Sequence, residues 1–183
     1  MKKVLIVLLA VFMLFGTAMA AEGKQQTADN IVSINVLPYF IGLFNAGYER
    51  KIMNMASIRV RGSYWPFASA VSDGDWQVFT LGGDIHFWLQ GTACKGWFLG
   101  PKFDAFISST NIEGTNVGAT SMMLGAHVGH HWVFEGGFAM SLSFGGWTNI
   151  ASSVSSDDET IEVTPIFEGT FMPTVDFTVG YAF

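Results

Sequence analysis

The stretch PTVDFTVGYAF, residues 173–183, decides the fold class of this chain. Its odd-numbered positions carry proline, valine, phenylalanine, valine, tyrosine and phenylalanine, whereas its even-numbered positions carry only small or polar residues. Alternation with a period of two is typical of a β-strand whose two faces meet different surroundings. The stretch therefore predicts a strand with one face in an apolar medium and the other face toward a polar interior.

The same alternation recurs along the chain and predicts about eight strands. They are expected at about 30–38, 43–52, 56–67, 76–89, 96–108, 119–132, 137–149 and 170–183. Polar segments at 69–75, 109–118 and 150–168 predict long loops, and these alternate with short turns, as in membrane barrels. An open sheet edge cannot face hydrocarbon, because its backbone groups would stay unpaired. The sequence therefore predicts an all-β fold, a transmembrane antiparallel up-and-down β-barrel over residues 30–183.

The composition fits a membrane protein and excludes some classes of function. Hydrophobic residues make up 50% of the chain and charged residues only 13%, against about 25% charged in soluble domains. The net charge is −6 and no basic run occurs after the N-terminus, which argues against a nucleic-acid partner. The single cysteine, Cys94, allows no internal disulfide and is interpreted as a small turn residue.

The first 20 residues have the pattern of a secretory signal peptide. Lys2 and Lys3 precede an apolar run at 4–15, and a small-x-small pattern ends at Ala20. The alternative is a retained membrane anchor, but the run is short of the about 20 residues that span a bilayer. We expect a cleaved signal peptide at 1–20, a disordered lead-in at 21–29, and export of the barrel.

The C-terminal residues resemble the terminal signal of bacterial outer-membrane barrels. In those families a final phenylalanine follows apolar residues at alternate positions, and the barrel-assembly machinery reads this pattern. The matching residues here are Phe177, Val179, Tyr181 and Phe183. The resemblance implies location in the bacterial outer membrane, with its lipids and lipopolysaccharide and the assembly machinery as partners.

Two further segments are similar to small outer-membrane barrels of the OmpA and OmpX type. These are the opening segment at 30–52 and the sequence WFLGP at 97–101. The resemblance implies an eight-stranded barrel with no known enzyme activity.

The predicted interior of the barrel is polar and carries charges of both signs. A barrel of eight strands is just wide enough to be filled by its own side chains. Because buried charges require partners, we expect a network of ion pairs and hydrogen bonds that fills the lumen. A narrow polar pore is the alternative. The network is predicted to contain Glu49, Arg59, Arg61, Asp84, His86, Lys102, Asp104, His127 and Asp176.

Histidines could in principle bind a metal ion, since imidazole suits zinc, copper and nickel. The candidates are His86, His127 and His131. His127 and His131 are four residues apart on one predicted strand, so about 13 Å separates their Cα atoms and they could not share an ion. The sequence therefore predicts no metal and no cofactor.

An enzyme that modifies lipid A, either an acyltransferase or a deacylase, is the main alternative function. Such an enzyme needs a serine, a histidine and an acidic group close together. The candidates are Ser121 or Ser141 with His127 and Glu135, but no signature places them together. We expect instead a non-enzymatic barrel with a structural or surface-interaction role through its outer loops.

The last predicted loop carries an acidic cluster. We interpret it as a solvated loop tip, with bridging of divalent cations or lipid headgroups as the alternative. Its members are Asp157, Asp158, Glu159 and Glu162.

Overall fold

A computed structural model describes residues 28–66, 77–112, 115–156 and 171–183. The residues that it describes form eight strands. They are β1 (Asn30–Asn35), β2 (Phe44–Met53), β3 (Ala56–Trp65), β4 (Gln77–Trp88), β5 (Gly96–Ile112), β6 (Thr115–Val133), β7 (Phe138–Ser156) and β8 (Phe171–Ala182). Each strand pairs with the next and β8 pairs with β1, so the sheet is a closed barrel. The predicted all-β, antiparallel up-and-down barrel is confirmed. In these described parts of the chain, no helix has the length and apolar character needed to cross a membrane.

The two ends of the barrel sequence close the ring. The backbone N–H of Asn30 donates to the carbonyl of Phe183, and the N–H of Phe183 donates to the carbonyl of Asn30, both at 2.9 Å. The antiparallel register of β1 and β8 runs from the Ile31 and Ala182 pair to the Asn35 and Thr178 pair. Closure along this seam gives the backbone groups of both strands a partner, which a hydrocarbon surrounding would require.

Alternating burial along β4 shows how the sequence pattern becomes an inside and an outside. Phe79, Leu81 and Phe87 are exposed on the outer surface, whereas Asp84 and His86 are almost fully buried. Successive side chains of a strand point to opposite faces. The polar residues of this strand therefore fill the interior, and its large apolar residues cover the exterior.

The first hairpin differs from the prediction. β1 ends at Asn35 instead of continuing to residue 38, and Leu37–Ile41 forms a turn of 3₁₀-helix. Pro38 lies at the start of this turn. Proline has no backbone N–H and a fixed φ, so it cannot continue a hydrogen-bonded ladder. Gly42 ends the turn with a φ of 76°, in the left-handed region that glycine adopts readily.

Two of the predicted long loops were wrong in part, because strands extend into them. β5 reaches Ile112 and β6 begins at Thr115, so most of 109–118 is paired strand, and β7 continues to Ser156. Backbone pairing does not depend on whether the side chains are polar, and Thr and Val favour extended structure. The polarity of these segments therefore indicates that the strand ends have polar surroundings, and it does not indicate that the backbone leaves the sheet.

Several predictions fall outside the described residues. They concern the signal peptide at 1–20, the lead-in as far as residue 27, the loop at 69–75, and the acidic cluster of Asp157, Asp158, Glu159 and Glu162. They remain predictions.

Candidate functional site

The barrel interior holds all nine side chains of the predicted lumen network. Eight of them are buried and Asp176 is half-buried. They come from different strands: Glu49 from β2, Arg59 and Arg61 from β3, Asp84 and His86 from β4, Lys102 and Asp104 from β5, His127 from β6, and Asp176 from β8. The closed sheet brings these side chains into one cluster.

Ion pairs that join β3 to β4 and to β5 form the centre of this cluster. Arg59 Nε donates to Asp84 Oδ2 at 2.6 Å, directly across the β3–β4 register. The Arg61 guanidinium donates to Asp104 Oδ2 at 2.7 Å and lies 3.1 Å from Asp84 Oδ1. Arg61 is opposite Gly82 in the register, and Gly82 is opposite Asp104. Because Gly82 has no side chain, the guanidinium can pass over β4 to reach β5.

Lys102 extends the ion pairs across the lumen to β8. Its Nζ lies 3.4 Å from Asp176 Oδ2 and 3.4 Å from Thr174 Oγ1. The same ammonium is 4.4 Å from the centre of the Trp147 ring, a distance at which a cation and an aromatic face attract each other. Asp176 also accepts a hydrogen bond of 2.6 Å from the Asn35 amide. Contacts from β1, β5 and β8 therefore meet in the middle of the barrel.

A chain of hydrogen bonds orients the Glu49 carboxylate. Ser57 Oγ donates to Glu49 Oε1 at 2.5 Å, and Trp88 Nε1 donates to Ser57 Oγ at 2.9 Å. His86 Nδ1 lies 2.8 Å from the same carboxylate oxygen. The carboxylate, the imidazole and the indole thus hold one another in fixed orientations.

An apolar layer closes the barrel at the end where β1 begins and β8 ends. Trp88, Phe98, Ile31 and Val133 pack together there, and Ala93 and Cys94 of the β4–β5 turn join them. Sequence reasoning described the lumen as polar throughout and missed this layer. The signal was available, because Trp88 and Phe98 fall on the inward phase of their strands. Cys94 is a buried free thiol at a positive φ of 65°, in keeping with its interpretation as a turn residue.

The structure does not assemble the serine, histidine and acidic group considered for an enzyme. Ser141 Oγ pairs with Thr178 Oγ1 at 2.7 Å, and Ser121 Oγ pairs with Ser152 Oγ at 3.3 Å. Ser121 and His127 are six residues apart on β6, which corresponds to about 20 Å. Glu135 is exposed in the β6–β7 turn. Neither serine is therefore in reach of both partners.

The residues of the predicted assembly signal lie on the last strand. Tyr181 and Phe183 are exposed on the outer surface. Val179 is partly buried, and Phe177 is buried where it packs with Trp132 and Met140. The alternation predicted for β8 thus places all four residues on its apolar face, and part of this face is covered by neighbouring side chains.

The closed ring, the apolar exterior and the charged interior together define a small up-and-down β-barrel of the bacterial outer-membrane type. The chain belongs to the DUF3575 family, a family of proteins of unknown function, whose model matches residues 6–153. No curated protein matches the chain in sequence.

Solved structures of small outer-membrane barrels are similar to this chain. Neisserial surface protein A matches at a TM-score of 0.52 and 13% identity, over 85% of this chain and 94% of that one. The N-terminal β-barrel domain of Pseudomonas aeruginosa OprF matches at 0.45 and 16%, over 86% and 100%. Acinetobacter baumannii CarO matches at 0.44 and 6%, over 88% and 100%. At these identities, the likeness to the Neisserial protein shows the fold alone.

Proposed function

We propose that this protein is a non-enzymatic barrel of the bacterial outer membrane with a side-chain-filled lumen. Its role is structural, or lies in contacts that the outer loops make at the cell surface. The observation that carries the proposal is the set of ion pairs inside the lumen, Arg59 with Asp84, Arg61 with Asp104, and Lys102 with Asp176. These pairs occupy the space through which a solute would have to pass.

Two further features support a closed lumen. The apolar layer of Trp88 and Phe98 lies at the end of the barrel where β1 begins and β8 ends. A cavity of about 10 Å³ remains beside Asn35, Arg59 and Asp176, which is room for about one water molecule. This arrangement favours a plugged barrel over the narrow pore that the sequence left open.

The exterior supports a membrane location. Val60, Leu81 and Phe144 are each more than half exposed on the outer wall, together with many other large apolar side chains. Soluble proteins rarely expose apolar patches larger than a few hundred Å². We infer that lipid covers this wall, that lipopolysaccharide is the neighbour of its outer half, and that the assembly machinery inserts it through the β8 residues Phe177, Val179, Tyr181 and Phe183.

The plugged lumen predicts that the purified protein does not conduct ions. When the refolded barrel is added to a planar lipid bilayer, we expect no steady conductance, with an open porin in the same bilayer as positive control. Slower migration on a denaturing gel after heating verifies that the added protein was folded. Stable channels from the folded protein would contradict the plugged lumen and favour the pore.

The absence of an enzymatic role predicts unchanged lipid A. Mass spectra of lipid A from cells with and without the protein should be identical, because Ser121 and Ser141 lie away from His127 and Glu135. A change in the number of acyl chains that depends on the protein would support the acyltransferase or deacylase alternative.

A further inference from the structure

Three buried side chains with metal-binding atoms converge inside the barrel. Their candidate ligand atoms, one each from Asp84, His86 and His127, all lie within 4.8 Å of one another. Asp84 and His86 are two residues apart on β4 and therefore share its inner face. His127 reaches them from β6, and its ring centroid is 5.0 Å from that of His86.

Gly100 of β5 makes this convergence across three strands feasible. It pairs with His127 in the β5–β6 register, and its other side adjoins the backbone of Ile85 and His86. Any side chain at position 100 would overlap the Ile85 carbonyl. The wall between the two histidines is therefore bare, and their imidazoles can approach each other over it.

Four polar atoms of these three side chains have no hydrogen-bond partner among the residues that the structure describes. They are His86 Nε2, His127 Nδ1, His127 Nε2 and Asp84 Oδ1, and all are buried. Buried polar atoms in folded proteins nearly always have a partner, so several such atoms close together are candidates for binding a water or an ion. Asp84 Oδ1 does have the Arg61 guanidinium 3.1 Å away, as an ion-pair contact.

The surroundings orient His86 as a metal ligand. When Nδ1–H of His86 donates to Glu49 at 2.8 Å, the other ring nitrogen, Nε2, carries the lone pair that can bind an ion. Metal-binding histidines commonly donate their other ring N–H to a carboxylate, which fixes the tautomer and raises the basicity of the ligand. Ser57 and Trp88 hold Glu49 in place through their own hydrogen bonds.

The charges around these three side chains also favour binding of a cation. Among the nine described lumen residues, the carboxylates of Glu49, Asp84, Asp104 and Asp176 face only three permanent cations. These cations are Arg59, Arg61 and Lys102, and each is already paired with a carboxylate. With neutral imidazoles the cluster therefore has an excess of one negative charge.

We propose that Asp84, His86 and His127 form a binding site for a transition-metal dication of the zinc, copper or nickel type. Two imidazole nitrogens and one carboxylate oxygen are the ligands that such ions accept. In a tetrahedral site with bond lengths of about 2.0–2.2 Å, two ligand atoms of one ion lie about 3.3–3.6 Å apart. The three candidate atoms lie within 4.8 Å of one another, so they draw together by up to about 1.5 Å when they bind the ion. The bound ion joins β4 to β6 and leaves a position for water.

The test uses the untagged full barrel, refolded in detergent, stripped with a chelator and dialysed against zinc. We expect one zinc per chain by elemental analysis of the protein peak from gel filtration. His127→Gln should lose this zinc. Glu49→Gln, which removes only the orienting carboxylate, should weaken zinc binding about 10–100-fold. His131→Gln is the matched control, because His131 is buried on the same face of β6 but lies outside the three ligands.

Each outcome decides the proposal. Zinc retained by the native chain and by His131→Gln, and lost from His127→Gln, supports the site. A native chain without zinc, or equal zinc in the native chain and in His127→Gln, overturns it. If His127→Gln fails to refold, cobalt replaces zinc in the native chain, and the lack of d–d absorption bands from imidazole ligation overturns the site. The conductance test of the plugged lumen does not depend on any of these results.

Discussion

Replacing Asp84 by alanine should destabilise the barrel by about 3–5 kcal/mol, the usual result of breaking a buried ion pair by removing one partner. The Asp84 carboxylate lies 2.6 Å from Arg59 and 3.1 Å from Arg61, and its side chain is fully buried. Asp84→Ala leaves Arg59 without its closest carboxylate inside the lumen. Urea unfolding of the metal-free barrel in lipid vesicles, followed by tryptophan fluorescence, measures the change in the free energy of unfolding.

Asp29→Ala is the control for this prediction. Asp29 forms an ion pair of 3.3 Å with Lys51, but its side chain is 74% exposed. Exposed ion pairs contribute about 0–1 kcal/mol, so this variant should unfold close to the native urea concentration. If Asp84→Ala and Asp29→Ala unfold at the same urea concentration, the ion pairs in the lumen do not stabilise the barrel.

Gly180→Ala should weaken closure of the ring, at a cost of at least about 1–3 kcal/mol from overpacking. A Cβ atom at position 180 would overlap the carbonyl oxygen of Val32 on β1. Gly180 pairs with Ser33 at the seam where β8 meets β1. Because the obstacle is backbone, no side-chain rotation can relieve it. We expect a smaller fraction of the refolded protein to migrate as the compact form on an unheated denaturing gel.

Gly62→Ala is the matched control for the seam. Gly62 is also a strand glycine, but a Cβ there would meet only Thr80 O at 3.9 Å, an ordinary contact. Both substitutions reduce the conformational freedom of the unfolded chain equally. The difference between the two variants in the fraction of compact protein therefore measures the effect of the side chain at the seam. A Gly180→Ala protein that folds as completely as Gly62→Ala would show that the seam tolerates a side chain.

Period-two patterning predicted the strand count well and the strand ends poorly. Alternation reports which side chain faces which medium, and this is a property of the folded wall. It does not report where pairing stops. A 3₁₀ turn with Pro38 in its first positions follows the early end of β1, and proline favours such a turn by its covalent geometry, whereas β7 continues to Ser156 because β6 supplies pairing partners. The local sequence shows where a proline lies, but it does not show where a neighbouring strand supplies pairing partners.

The composition of the lumen could be predicted, but its pairing could not. The alternation of apolar and polar residues along each strand was enough to predict that Asp84, His86 and His127 face the interior. Their meeting depends on the β4–β5 and β5–β6 registers, which are set by the closure of the whole ring. The sequence argument excluded an ion shared by His127 and His131, and it had no means to place His86 beside His127.

The amino-acid sequence by itself determined that this chain forms a barrel with an apolar outside and a charged inside, because alternation is written into consecutive residues. Only the tertiary structure decided which charges pair, that Trp88 and Phe98 close one end, and that two histidines meet over Gly100. These outcomes depend on contacts between strands far apart in the chain, and register and shear become defined only when β8 joins β1.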